Sequence, residues 1–262
     1  MTDFSALVAE PGERHLVAGT SRAGKSSYQD WEMRYVQEHR PTAMQVLVDT
    51  KPRFRAETEK SWQGPTKRRS AAYRYTSWAK GPVVPNSVLV DLYSEHPFRG
   101  LWKKPGEIAI MQSGEEIDWK RMLVLLNAFT KAQIGGRERK INVDEVLDFY
   151  GRNTMGIMPK NDVFYRAARA GGERAIGIQL GAHRIHGIPP LIRTVLSRVS
   201  LFTLTDDADM RELRVCGIHD PESPKERFTF RQWCKQPGGL MGEPVFCRCE
   251  YPESYLSQLA AS

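Results

Sequence analysis

Short apolar runs and stretches of helical periodicity alternate along the chain in a regular order. Arg14-His15-Leu16-Val17-Ala18 is a run of strand length that breaks at Gly19 into a turn rich in glycine and serine. From Lys25 to about His39, Tyr28, Trp31 and Tyr35 recur at helical spacing, and Pro41 ends the pattern. Residues 43–48 are then almost uniformly apolar before Asp49 and Lys51, as expected of a parallel strand buried on both faces. Strand, helix and strand make a βαβ unit.

The pattern dissolves between Lys51 and Lys80, where nine Lys or Arg stand against two Glu, with two Trp, two Tyr and one Phe among them. This reads as a basic surface excursion over about 51–84. Strand patterns return at 87–93 and 107–113. A helix follows from near Asp118, with Trp119, Met122, Leu126, Phe129 and Gln133 along one seam and Gly135 and Gly136 as its stop. Residues 140–145 read as a strand, 151–161 as a loop, Asp162 to Ala170 as a capped helix and 175–183 as a strand. Pro189 and Pro190 open a further helix, and 198–205 form another strand. The alternation predicts an α/β fold with a largely parallel central sheet flanked by helices. A length of 262 residues suits one domain over the whole chain, with a short strand-rich extension from about 215 to 262.

Charge and cysteine content narrow the function. Thirty-eight Lys and Arg against 31 Asp and Glu leave a net charge of +7, which favours a polyanionic partner, nucleic acid first. No apolar run reaches the roughly 18 residues of a membrane span, and the N-terminus lacks a basic region followed by an apolar core. A soluble, cytoplasmic protein is expected. Cys216, Cys234, Cys247 and Cys249 all fall in the last fifth of the chain. With His219 they give one C-x-x-H, one lone cysteine and one C-x-C, which is not the paired spacing of a structural zinc site. Alternation places Cys247 and Cys249 on a face with Val245 and Tyr251, so reduced thiols on a half-buried strand are expected.

Gly19-Thr20-Ser21-Arg22-Ala23-Gly24-Lys25-Ser26 matches the phosphate-loop pattern G-x-x-x-x-G-K-S/T, with a strand before it and a helix opening at its end. Glycines let the backbone wrap closely, so the amides from Gly19 to Ser27 can face phosphate oxygens. Lys25 reaches the β- and γ-phosphates, and the Ser26 hydroxyl ligates Mg²⁺. ATP and Mg²⁺ are the cofactors this implies. Lys140-Ile141-Asn142-Val143-Asp144-Glu145 supplies the second half: a strand that ends in Asp144, for the magnesium shell, and Glu145, to orient and deprotonate a water. Two adjacent carboxylates suit hydrolysis better than transfer to a second substrate. No N-K-x-D guanine-reading motif is present.

In their order, the phosphate loop, the strand ending Val46-Leu47-Val48-Asp49-Thr50-Lys51, the Asp144-Glu145 strand and the strands at 175–183 and 198–205 resemble the FtsK–HerA superfamily of DNA-pumping ATPases, with a RecA-like P-loop fold. The resemblance covers about residues 12–215. In that family the strand after the Asp-Glu pair usually ends in Thr-Gln-Arg-Pro, whose glutamine senses the γ-phosphate; this chain reads Ala182-His183-Arg184, so the resemblance puts His183 in the sensor position. The family also supplies an arginine from the neighbouring subunit, just before the sensor strand. Gly171-Gly172-Glu173-Arg174 stands there, about two residues out of register, which makes Arg174 the first candidate for a trans finger ahead of Arg169 and Arg198.

A compact P-loop unit without the extra modules of cellular relatives resembles the stand-alone packaging ATPases of viruses. That implies double-stranded DNA as partner, a pentameric or hexameric ring, a capsid portal or vertex protein, and the host cytoplasm as location. A cellular or plasmid-borne DNA translocase, a non-hydrolysing DNA-binding P-loop protein and a small-molecule kinase remain the alternatives. Within the basic excursion, Arg53, Arg55, Lys67, Arg68, Arg69 and Arg74 are candidates for gripping DNA phosphates, without sequence preference because phosphate contacts carry none.

Overall fold

The computed structural model describes residues 4–59, 83–112, 116–132, 136–150, 163–219 and 221–249. Among the described residues ten strands form one sheet in the order β10-β9-β8-β1-β7-β6-β2-β5-β4-β3. The central five are β1 (Arg14–Ala18), β7 (Ile176–Ala182), β6 (Arg139–Val143), β2 (Met44–Asp49) and β5 (Ile108–Gln112), all paired in parallel. On one side β8 (Arg198–Leu201) continues the parallel pairing, then β9 (Thr229–Cys234) and β10 (Val245–Arg248) run antiparallel. On the other side β4 (Val83–Leu89) and β3 (Arg55–Glu59) complete the sheet in parallel. The start of the basic segment is therefore sheet, not surface loop: Arg55 to Glu59 is the edge strand. Lys67, Arg68, Arg69 and Arg74 lie outside the described residues, as does the expected loop at 151–161.

Residues on opposite strand faces have different characters. Leu16, Ala18, Met44, Val46, Val48, Ile141, Val143, Ile178 and Leu180 point to one face and form the main core with α2 (Glu116–Lys131) and α3 (Val163–Arg174). Met122, Leu126 and Phe129 of the expected seam are buried there, and Trp119 packs at its margin against Phe149 with the rings tilted. The helix α3 runs to Arg174, four residues past the expected end at Ala170. Two short helices, α4 (Pro190–Thr194) and α5 (Asp207–Glu212), flank β8 in the chain, the first opened by the proline pair. In the C-terminal extension Cys247 and Cys249 pack against the cluster of Tyr28, Phe202 and Phe230, while Val245 stays exposed.

Opposite the main core lies α1 (Lys25–His39), and here the central strands present His15, Gln45, Lys140, Asn142, Gln179 and Ser200, all buried. The helix answers with Tyr28, Gln29, Glu32, Met33 and Val36, a face of helical period in which two positions are polar; Trp31 and Tyr35 sit half-buried on its flank. Glu32 is the centre of this interface. Its carboxylate accepts from Lys140 Nζ, from Gln179 Nε2, from the Ala9 amide at 3.2 Å and from His15 Nδ1 at 3.1 Å. With Nδ1 donating, His15 Nε2 accepts from the Ser200 hydroxyl at 2.9 Å. Burial alone would raise the Glu32 pKa, but Lys140 and then His15 hold it far below the usual carboxylate range. Burial pulls His15 below 6.5 and Lys140 below 10.5, each partly restored by Glu32.

Removing Glu32 strands Lys140 without its counterion. Glu32→Ala should therefore lose about 3–5 kcal/mol of stability, read from urea midpoints. Its pH dependence follows from the depressed pKa values. Glu32 stabilises fully above the ordinary 4.5 and loses that contribution as pH falls below it, while the unfolded chain takes up the His15 proton first, below about 6.5. The wild-type midpoint should fall on acidification from pH 7 to 4, and Glu32→Ala should flatten the part of that slope below pH 5.

Candidate nucleotide site

The phosphate loop leaves β1 and is pinned at once to the ends of its neighbours: Gly19 N donates to Ala182 O (3.1 Å) and Thr20 N to Thr203 O (2.7 Å). Ser21 and Arg22 form the exposed crest, Ala23 is buried, and Ser27 is half-buried in the first turn of α1. Gly24 opens α1 with φ +116°, a left-handed conformation, and a β-carbon there would lie 2.9 Å from the Phe228 ring and 3.1 Å from Phe202. Having no side chain, Gly24 cannot cap the amides of the first helical turn, the arrangement in which a helix N-terminus receives an external anion. Phe228 holds the loop from outside through its amide on Ala23 O at 3.0 Å.

Lys25 folds back over the loop and donates to Gly19 O (2.7 Å) and Thr20 O (2.9 Å). Burial lowers its pKa, and Glu145 and Asp144 oppose that shift in turn. Ser26 Oγ donates to Asp144 Oδ1 at 3.0 Å across 118 residues, so the two halves read from the sequence meet in space. Asp144 follows β6 and is fixed through its amide on Val48 O at 3.0 Å. Burial raises its pKa, opposed first by Arg53 and then by the Ser26 hydroxyl. Its Oδ2 is buried without a hydrogen bond, although the Arg53 guanidinium stands 3.3 Å away. A serine hydroxyl and a buried, under-satisfied carboxylate are hard oxygen donors of the kind Mg²⁺ takes, so the residues fit that ion.

Glu145 is 2% exposed and engaged by His183: the ring Nδ1 lies 2.8 Å from Oε2, and the His183 amide donates to Oε1 at 3.4 Å. His183 itself begins the loop after β7, where Ile185 and His186 amides are held by Asp209 Oδ1 at 2.8 and 2.7 Å. Arg174 ends α3, at the start of β7 and therefore at the opposite end of the sheet from this site. Arg198 is buried and committed to Glu13 (3.0 Å), and Arg169 is exposed on α3.

Two site residues were not singled out from the sequence as parts of this centre. Asp49 ends β2 buried beside Asp144, and its Oδ2 accepts from the amides of Arg53 (2.7 Å) and Phe54 (3.0 Å) and from Gln112 Nε2 (2.8 Å). Burial, then the Asp144 charge, pushes its pKa up. Arg53, expected to face DNA, turns inward instead, donating to Ser26 Oγ at 3.2 Å. The only sequence sign of Asp49 is a carboxylate closing an otherwise apolar run; for Arg53 there is none.

The approach of β7 to β6 sets how closely these groups meet. A β-carbon on Gly181 would lie 2.2 Å from the Asp144 carbonyl oxygen, whereas one on Gly177 of the same strand meets nothing nearer than 3.6 Å. Gly181→Ala should therefore lower thermal stability by about 1–3 kcal/mol or more, and Gly177→Ala should leave it nearly unchanged, as read by calorimetry.

No protein-family model matches the sequence, and no curated protein matches it. The fold, however, is found among solved structures. B204, the DNA-packaging ATPase from Sulfolobus turreted icosahedral virus, superposes with a TM-score of 0.52 at 12% identity, over 90% of this chain and 100% of its own. B204 from Sulfolobus turreted icosahedral virus 2, in complex with ATP-gammaS, gives 0.52 at 9% identity over the same shares. The cytoplasmic domain of the type VII secretion ATPase EccC from Thermomonospora curvata gives 0.50 at 11% identity, over 95% of this chain and 25% of its own. The chain thus shares the P-loop ATPase fold of these structures, a largely parallel sheet flanked by helices.

Proposed function

We propose that the chain is an ATP-driven translocase of double-stranded DNA, working as a viral genome-packaging motor built from one P-loop domain over 1–262. The observation that carries the ATPase reading is the meeting of Lys25, Ser26, Asp144 and Glu145 at one end of the sheet. Nucleotide phosphates take the place of the Gly19 and Thr20 carbonyls as partners of Lys25, with the amides from Gly19 to Ser27 around them. Ser26 and Asp144 would hold Mg²⁺, whose chemistry when bound is to neutralise charge on the β- and γ-phosphates. Glu145, held by the His183 Nδ1 contact, takes the proton of the water that attacks the γ-phosphorus, while the bond to the β-phosphate oxygen breaks and ADP leaves. His183, in the sensor position, is the proposed contact to the γ-phosphate.

Support for the DNA reading comes from the net charge of +7 and from the likeness to a DNA-packaging ATPase. Lys67, Arg68, Arg69 and Arg74 are the proposed phosphate contacts, a capsid portal or vertex protein the proposed second partner, and the host cytoplasm the proposed location. Among the described residues no helix is long and apolar enough to cross a membrane. Ring assembly rests on Arg174. The seven residues of β7 span roughly 20 Å between Arg174 and the site, so the proposed role of this arginine is at a neighbour's phosphate loop and not at its own.

ATP turnover should rise on adding double-stranded DNA. Lys25→Ala should lose nucleotide binding or turnover, and Glu145→Gln should bind ATP yet hydrolyse it about 10²- to 10⁴-fold more slowly. Wild-type turnover in Glu145→Gln would remove Glu145 as the base, and turnover indifferent to DNA would count against the translocase.

Arg174→Ala should bind ATP but be nearly inactive, since a trans arginine contributes roughly 10³ to 10⁵ in rate. Mixed with Glu145→Gln protein it should regain part of the activity, because some interfaces then pair an intact Glu145 with an intact Arg174. Failure to recover despite demonstrated co-assembly would reject Arg174 as the finger.

A further inference from the structure

Arg53 stands in the part of the site where the two magnesium donors meet. Its guanidinium donates to Ser26 Oγ at 3.2 Å and lies 3.3 Å from Asp144 Oδ2, the buried oxygen without a hydrogen bond. The placement is built by the backbone. Asp49 fixes the amides of Arg53 and Phe54, Gln112 secures the Asp49 carboxylate and accepts nothing in return from Arg53, and Thr50 and Lys51 are tied to Asp148, three residues beyond Glu145. Phe54 is buried against Met33 and Leu47, which anchors the next residue in the core. The segment from Asp49 to Phe54 thus stays in place whatever the Arg53 side chain does, and that side chain is 40% exposed with room to leave.

We propose that Arg53 is the resident counter-cation of the metal site: its guanidinium occupies the Ser26 and Asp144 oxygens and must be displaced for the divalent cation to bind. The inference rests on the reading of Ser26 and Asp144 as the metal donors. Its physical basis is charge balance. Asp49, Asp144 and Glu145 are three buried carboxyl groups around one point, and Lys25 is drawn toward the loop carbonyls; without a second cation Asp144 would be buried as an uncompensated charge. Arg53 supplies that cation and keeps the Ser26–Asp144 pair assembled. A dication delivered with the nucleotide supplies more charge at the same oxygens, and the two cannot occupy them together.

The test measures metal binding directly. Mn²⁺ is titrated into protein saturated with AMPPCP and free Mn²⁺ is read by electron paramagnetic resonance, for wild type, Arg53→Ala, Arg53→Gln, Arg53→Lys and Asp144→Asn. Arg53→Ala and Arg53→Gln should bind Mn²⁺ about fivefold more tightly than wild type, the size expected for release of a partly exposed ion pair, with Arg53→Lys between. AMPPCP affinity measured in EDTA should fall or stay level in the same variants, so a general tightening of the site would not imitate the effect. Unchanged or weaker Mn²⁺ binding in both neutral variants, with a normal thermal midpoint, would overturn the role of Arg53. Mn²⁺ binding in wild type that Asp144→Asn leaves intact would instead overturn the metal assignment, and this inference with it.

Discussion

The position of the phosphate loop depends on how α1 is attached to the sheet, and that attachment is ionic. A P-loop helix is ordinarily pictured as an apolar stripe on an apolar sheet. Here the strands under α1 offer His15, Lys140, Gln179 and Ser200, and the helix offers Glu32 and Gln29. Gln29 Nε2 donates to Val143 O at 2.9 Å, one residue before Asp144, so the same polar face also ties the helix to the strand that leads into Asp144 and Glu145. Apolar contacts tolerate small slides and rotations, whereas a carboxylate with four donors around it has one favourable register. The apolar clusters at either side, Tyr28 with Phe202 and Phe230, and Met33 with Leu47 and Ile108, supply adhesion. Glu32 supplies the register, and through it the distance between Lys25 and Asp144.

Much of the fold was legible because a parallel sheet buried on both faces writes itself as apolar runs. Residues 44–48, 108–111 and 176–182 show this plainly. The phosphate loop and the Asp144-Glu145 pair were legible for a different reason: phosphate wrapping needs consecutive backbone amides, and two acids at one strand end need only adjacency, so both leave a local signature. What stayed hidden was the chemistry made by distant residues. A glutamate amid Trp31 and Met33 on a helix reads as solvent-facing until the partner strands are known. Arg53, in a stretch of nine cations, reads as surface charge, yet one turn of backbone directs it inward onto Asp144. The edge strand β3 was missed because Arg55-Ala56-Glu57-Thr58-Glu59 has little apolar content, and an edge strand with one neighbour needs little.

In the arrangement seen here each candidate catalytic group has a partner inside the protein. Lys25 is on the loop carbonyls, Ser26 on Asp144, Asp144 beside Arg53, and Glu145 on His183. Nucleotide binding is therefore an exchange of hydrogen bonds more than a gain of new ones, and its net free energy is the difference between two well-satisfied states. The exchange is uneven across the site. On the proposed reading Lys25 exchanges neutral carbonyls for charged phosphate, a strong gain, while Glu145 has to loosen its contact with His183 Nδ1 before it can take a proton from water. If the proposed roles hold, binding can be favourable while hydrolysis still waits on the His183–Glu145 contact, which lies at the end of β7. Arg174 ends α3 two residues before that strand begins, at the opposite end of the sheet, so the length of β7 separates it from the His183–Glu145 contact.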